Sequence, residues 1–302
     1  MQRIVPNIWF DHAAGEAAEF YTTVFPDSRV VDTQYYPTEG LLDFQADMAG
    51  QVLLVELELA GYPQPGQPGF RLLGTNAGPE FSLNPSVSFI LNFDPSVDPR
   101  ARQHLDEMWA ALSDGGQALM PLQEYPFSPH YGWVADRYDV SWQLMLTNPE
   151  GEPRPFVTPS LMFGHTVQGR AAEAVERYTS LFAGRTGTMV RYPPEAGPVA
   201  GEVMFADFQV LDQWFAATDA ADQDFTFNPG VSLRLSVADQ AELDHCWDRL
   251  SAVPEAERCG WCVDRFGLSW QVVPATMSQL MTRPGAYATL MSMKKIEIAA
   301  FG

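Results

Sequence analysis

Gly132-Trp133-Val134-Ala135-Asp136-Arg137-Tyr138-Asp139-Val140-Ser141-Trp142-Gln143 and Gly260-Trp261-Cys262-Val263-Asp264-Arg265-Phe266-Gly267-Leu268-Ser269-Trp270-Gln271 are two readings of one twelve-residue block. Working back from each, FSLNPSVS at 81–88 is matched by FTFNPGVS at 225–232, and EAAEFYTTVF at 16–25 by EAVERYTSLF at 173–182. Pro6-Asn7-Ile8-Trp9-Phe10 is matched in turn by Pro159-Ser160-Leu161-Met162-Phe163. Four paired blocks in the same order mark an internal duplication, and the shrinking offset between them makes the second copy the shorter one. Turn-formers and prolines in TNPEGEPRP at 147–155 place the linker between the copies. The expected organisation is a first domain over 1–150, a second over 156–275 and a C-terminal tail over 276–302. A chain of 302 residues with 46% hydrophobic content is long enough for two cores.

Each copy alternates strands and helices. A strand at 4–10 precedes a helix whose apolar positions Ala14, Ala17, Ala18, Tyr21, Val24 and Phe25 keep i, i+3, i+4, i+7 spacing. Ala171, Ala174, Val175, Tyr178, Leu181 and Phe182 repeat that stripe. Strand-like runs are expected at 41–48, 51–59 and 70–75, and GYPQPGQPG at 61–69 reads as an elaborated hairpin. A strand at 86–92 then leads to a helix carrying Leu105, Met108, Trp109 and Leu112. Its counterpart carries Leu243, Cys246, Trp247 and Leu250, with Asp239 and Glu242 at capping-box spacing. Residues 187–202 read as a lid or a loop.

Eighteen basic residues against 38 acidic ones give a net charge of −20, a field that repels phosphate backbones and anionic lipid. Nucleic acid and membranes are therefore not expected partners. No apolar run reaches the length of a membrane span and no signal-peptide pattern opens the chain, so a cytoplasmic location is expected. Three clustered cysteines, Cys246, Cys259 and Cys262, do not make a disulfide framework.

A doubled βαβββ pattern, with WFD at 9–11, EFY at 19–21, Asn76-Ala77-Gly78-Pro79, NPSVS at 84–88, GWCVDRFGLSWQVVP at 260–274 and MKKIEIAA at 293–300, resembles the PhnB-like branch of the vicinal oxygen chelate (glyoxalase/bleomycin resistance/dioxygenase) superfamily. The resemblance implies an α+β fold of tandem glyoxalase-like domains, each of two βαβββ modules, forming cup-shaped mixed sheets with the site inside the cup. Because single-domain relatives build each site from modules of two chains, the duplication implies an internal pseudo-dimer with both sites in one chain; further pairing into a homodimer is compatible with it.

Metal-using relatives draw His and Glu ligands from the first, fourth, fifth and eighth strands. Aligned on this chain, those ligands fall on Pro6 and Pro159, near Asn76 and Asp219, on Ser86 and Gly230, and on Gln143 and Gln271. Neutral donors hold a divalent transition metal weakly, so neither a metal nor another cofactor is expected. Asp219 and Gln271 are the one pair that could share an ion. The expected ligand-binding residues are Asn76, Ser88, Gln143, Asp219, Ser232 and Gln271, with Gln143 and Gln271 facing into the cups and Ser88 and Ser232 on the same face as the fifth-strand ligand position. The five histidines recur at no equivalent positions; His130, beside Tyr131, stands nearest the closing block.

Cys259-Gly260-Trp261-Cys262 has C-x-x-C spacing, but its counterparts Tyr131 and Val134 in the first copy favour packing over redox chemistry. No strand leads into a glycine-rich nucleotide loop, which leaves a methyltransferase reading without support. The preferred function is metal-independent binding of a small molecule, cationic or polar aromatic. The alternatives are a metal-dependent lyase, isomerase or dioxygenase of the superfamily, and a non-catalytic interaction module.

Overall fold

The computed structural model describes residues 2–62 and 68–302. The first copy runs β1 (Ile4–Phe10), α1 (Ala14–Val24), β2 (Arg29–Tyr35), β3 (Val52–Leu59), β4 (Phe70–Asn76), then β5 (Val87–Phe93), α2 (Ala101–Ser113), β6 (Gln117–Tyr125), β7 (Ser128–Ala135) and β8 (Ser141–Leu146). The second runs β9 (Val157–Phe163), α3 (Ala171–Leu181), β10 (Arg185–Arg191), β11 (Val203–Val210), β12 (Gln213–Asp219), then β13 (Val231–Val237), α4 (Gln240–Leu250), β14 (Trp261–Val263) and β15 (Ser269–Pro274). Two short helices, α5 (Met277–Leu280) and α6 (Ala286–Met291), lie in the tail. None of the described helices is long and apolar enough to cross a membrane.

Four βαβββ modules are thus strung in sequence, the last one a strand short. They form two mixed sheets, β14-β15-β13-β1-β4-β3-β2 and β10-β11-β12-β9-β5-β8-β7-β6. Each sheet takes one module from each copy: β1 meets β13 antiparallel from Ile4↔Leu235 to Ile8↔Val231, and β5 meets β9 from Val87↔Leu161 to Leu91↔Val157. Neither copy closes a sheet by itself. Strand alternation sorts the faces. One core packs α1 and α2 with Ile8, Phe10, Leu57 and Leu72 of one sheet and Phe89, Trp142 and Leu144 of the other. A second packs α3 and α4 with Phe208, Phe215, Leu235 and Trp270. The opposite faces of both sheets are the cups.

The duplicated block is a buried corner. Asp264 accepts hydrogen bonds from the Tyr178 hydroxyl (2.6 Å), the Trp270 indole (3.0 Å) and the amides of Phe266 and Leu268. Asp136 does the same with Tyr21, Trp142, Tyr138 and Val140. Aspartate, tryptophan and helix tyrosine thus clamp the last hairpin of each copy to its first helix.

The first copy differs from the expected pattern in one place. Its second strand is Arg29–Tyr35, while 41–48 contributes a 3₁₀ turn over Asp43–Met48. RVVDTQY carries the β-branched residues that suit an exposed edge strand, whereas LLDFQADM carries none. The stretch 61–69 joins antiparallel β3 and β4, with its central residues 63–67 outside the described residues. Residues 187–202 hold the end of β10 and a 3₁₀ turn at Gly197–Val199. Asp239 and Glu242 form the expected capping box: the Asp239 carboxylate accepts from the Glu242 amide at 2.9 Å, and Glu242 accepts from the Ala238 amide at 2.7 Å.

Candidate functional site

In the eight-stranded cup, Gln143 of β8 is nearly buried among polar neighbours. The Tyr131 hydroxyl donates to its Oε1 at 2.7 Å, and its Nε2 donates to Ser88 Oγ at 2.8 Å. Gln143 and Ser88 are brought together, and Tyr131 of β7 joins them as a third member. A carboxamide held this way still offers one N–H and one lone pair. Burial pushes the Tyr131 hydroxyl far above the usual phenol range, so it stays a donor. Tyr125 and the exposed Phe127 stack on each other and meet Tyr131 edge-on, with ring centroids 5.5 and 4.9 Å from its own. The linker packs against β11 and β12 of this sheet: Arg154 bonds Asp207 at 2.8 Å and lies over the Trp214 ring at 3.9 Å.

In the seven-stranded cup, Ser232 of β13 sits in a buried row with Asn7 and Thr75. The Thr75 hydroxyl donates to Asn7 Oδ1 at 2.7 Å, and Asn7 Nδ2 reaches Ser232 Oγ at a long 3.5 Å. Gln271 of β15 lies in register with Arg234 and Trp261. It is half-buried, and its carboxamide makes no hydrogen bond among the described residues. The tail crosses this cup. Tyr287 of α6 donates to Gln45 at 3.0 Å and meets Tyr36 edge-on, both near the end of β2. From the same helix Met291 Sδ accepts from Cys259 Sγ, 3.6 Å away and adjacent to β14. α6 therefore spans the two arms of the curved sheet. Burial, with Tyr287 alongside, pushes the Tyr36 hydroxyl up to about 12.

Asn76 and Asp219 do not face the cups, which corrects the expectation for both. They end β4 and β12 opposite Phe10 and Phe163, on the core side. Asn76 Oδ1 accepts from the first amide of α1, Ala14, at 2.8 Å, and its Nδ2 donates to the Val52 carbonyl. Asp219 accepts from the first amide of α3, Ala171, at 3.0 Å and from the Val203 amide at 2.9 Å. Both satisfy helix N-termini that have no side-chain cap of their own. Nor can Asp219 and Gln271 share an ion, because they belong to different sheets. Pro6 and Pro159 are likewise off the cup: they share a strand face with Ile4 and Ile8 and with Val157 and Leu161, all core residues. The cup-facing counterparts are Asn7 and Ser160.

The donor set does not fit the divalent metal of metal-using relatives. Asn7, Thr75, Ser232 and Gln271 in one cup, and Ser160, Ser88 and Gln143 in the other, supply neither imidazole nor carboxylate. Among the described residues no group of three or more His, Cys, Asp or Glu could hold an ion. His130 is tied to α2, with Nε2 2.5 Å from Asp106 Oδ1. The three thiols are free and buried. Burial pushes the thiols of Cys259 and, further, Cys262 above the usual range, which works against a thiolate at the C-x-x-C spacing.

Comparison with known proteins agrees with this architecture. No curated protein matches the sequence. Among solved structures, glyoxalase I from Zea mays is 11% identical, with 90% of this chain and 94% of that one covered at a TM-score of 0.53, a likeness of fold. A putative 3-demethylubiquinone-9 3-methyltransferase, PhnB protein, from Bacillus cereus is 28% identical, covering 48% of this chain and all of its own at a TM-score of 0.39. The family described as 3-demethylubiquinone-9 3-methyltransferase matches residues 2–145 and again 155–273, so this chain belongs to that PhnB-like family of the vicinal oxygen chelate fold, with two modules' worth of it in each copy.

Proposed function

We propose that the chain binds a small molecule in the cup of its seven-stranded sheet without a divalent metal. The observation that carries this reading is a cavity of about 850 Å³ at the β1 end of that cup, within the range usual for small-molecule sites. Val5, Leu73 and Arg234 form part of its floor, and the linker at 153–157 with the β11–β12 turn forms the facing wall. Apolar and polar groups share the lining, as a site that both desolvates and orients a ligand requires. Helix α6 of the tail crosses the cup between its two arms, and Ser278 of α5 joins the cavity's lining.

The reading is tested by thermal shift and ligand-observed NMR with a panel of aromatic carboxylates, amides and amines. Stabilisation that grows with concentration is expected, and Ser236→Phe, which fills the cavity from β13, is expected to remove it. Binding untouched by that substitution would place the site elsewhere. Incubation with Zn²⁺ or Ni²⁺ followed by desalting is expected to leave far less than one metal per chain; stoichiometric retention would overturn the metal-free reading.

A further inference from the structure

We infer that the cavity selects a singly charged carboxylate on an apolar body, with Arg234 as its anchor; this rests on the small-molecule reading above and names the ligand class. Arg234 lies in β13, in register with Val5 on one side and Gln271 on the other. Arg234 is half-buried, and desolvation by its surroundings pulls its guanidinium below the usual arginine range, with the charge of Glu56 acting the other way. It remains a cation, because arginine does not lose its proton in proteins. Among the described residues it has neither an ion pair nor a side-chain hydrogen bond.

The neighbouring charges are already matched. Arg71 bonds Glu56 at 2.9 Å and Glu58 at 3.0 Å, and Arg29 bonds Glu58 at 3.0 Å, so two cations and two anions close on one another. Arg3 is taken by Glu242 at 2.6 Å. Asp32 and Asp212 also line the cavity, but both are exposed, at its rim. Among the described residues Arg234 is the one cation of the lining without a paired anion, and a monoanion is what would pair it. A phosphate dianion would need a second cation and would sit beside Glu56 and Glu58.

Planar carboxylate is the partner that a guanidinium fork matches in two parallel bonds. Phe70, Phe156 and Trp214 supply the apolar surface for the rest of the ligand. The repeat shows Arg234 to be an intrusion: the equivalent residue in β5 of the first copy is Ile90.

The probes are benzoate, benzamide, benzylamine and inorganic phosphate, titrated into the full chain in 0.15 M chloride by thermal shift and NMR. Benzoate is expected to bind at least tenfold more tightly than the other three. Arg234→Leu is expected to lose that binding at least tenfold while melting at or above the wild-type temperature, since it removes an unpaired, partly desolvated charge. A structural arginine would instead lower the melting temperature when replaced. Arg234→Lys keeps the charge without the fork and is expected to bind at an intermediate level. Equal binding of benzamide and benzoate would overturn the carboxylate inference and leave the small-molecule reading standing, as would phosphate binding more tightly than benzoate. Benzoate binding unchanged in Arg234→Leu would remove Arg234 as the anchor. Failure of all four probes at millimolar concentration would sink both readings.

Discussion

Asp264 concentrates four donors on one buried carboxylate, two from side chains and two from backbone. Asparagine in its place would turn an amino group toward donors that need an acceptor, leaving at least one buried and unsatisfied. Asp264→Asn is expected to cost about 3 kcal/mol, measured by urea unfolding, with Asp136→Asn similar because its partners are the same in kind. A loss under about 1 kcal/mol would mean that the corner is not what holds hairpin to helix. These corners were legible as a repeated block, down to a structural role for the Asp-Arg pair. Their partners Tyr21 and Tyr178 were legible only as members of a helical stripe. Arg234 could have been found from sequence, since comparing VSLRLSV with VSFILNF exposes a charge where the sister strand has isoleucine. That comparison needs the repeat to be read for differences as well as matches.

At the level of single elements, the error lay in which face a strand's last residue presents. Asn76 and Asp219 were placed by alignment to a ligand position, but alternation puts Thr75 in the cup and Asn76 behind it, where the first turn of α1 needs an acceptor. Pro6 and Asn7 exchange roles for the same reason, because a one-residue slip moves a side chain to the other face. Asn76→Ala and Asp219→Ala are therefore expected to behave as lost helix caps. The first should cost about 1–2 kcal/mol, and the second more, because it strands two amides. Affinity for benzoate should stay within twofold of wild type in both. A large loss of affinity with unchanged stability would return these residues to the site. The tail was expected only as a segment beyond the second domain; the bridging of both arms of the seven-stranded cup by its helix α6 was not foreseen, because the contact joins residue 287 to residues 36 and 45. No local pattern encodes a pairing over that distance.

For the whole molecule, the decisive fact is that neither copy owns a sheet. The duplication was plain in the sequence, yet nothing in the spacing of blocks says whether β1 pairs with β5 of its own copy or with β13 of the other. Both are short apolar strands that want an antiparallel partner, and the choice is made by which pairing lets the helices of each copy pack between the sheets. With β13 and β9 taken away, residues 1–152 would expose β1 and β5 as two apolar edges, which are templates for association. The copies share one pattern, so a copy on its own can take a second copy of itself as partner, and two-fold closure then restores both sheets. Residues 1–152 produced alone are expected to form a dimer or to aggregate. Co-produced with 153–302, they are expected to give a one-to-one complex that elutes like the intact chain and binds benzoate as it does. Size-exclusion chromatography with light scattering separates these outcomes, and a cooperatively folding monomer of 1–152 would show that each copy closes its own sheet.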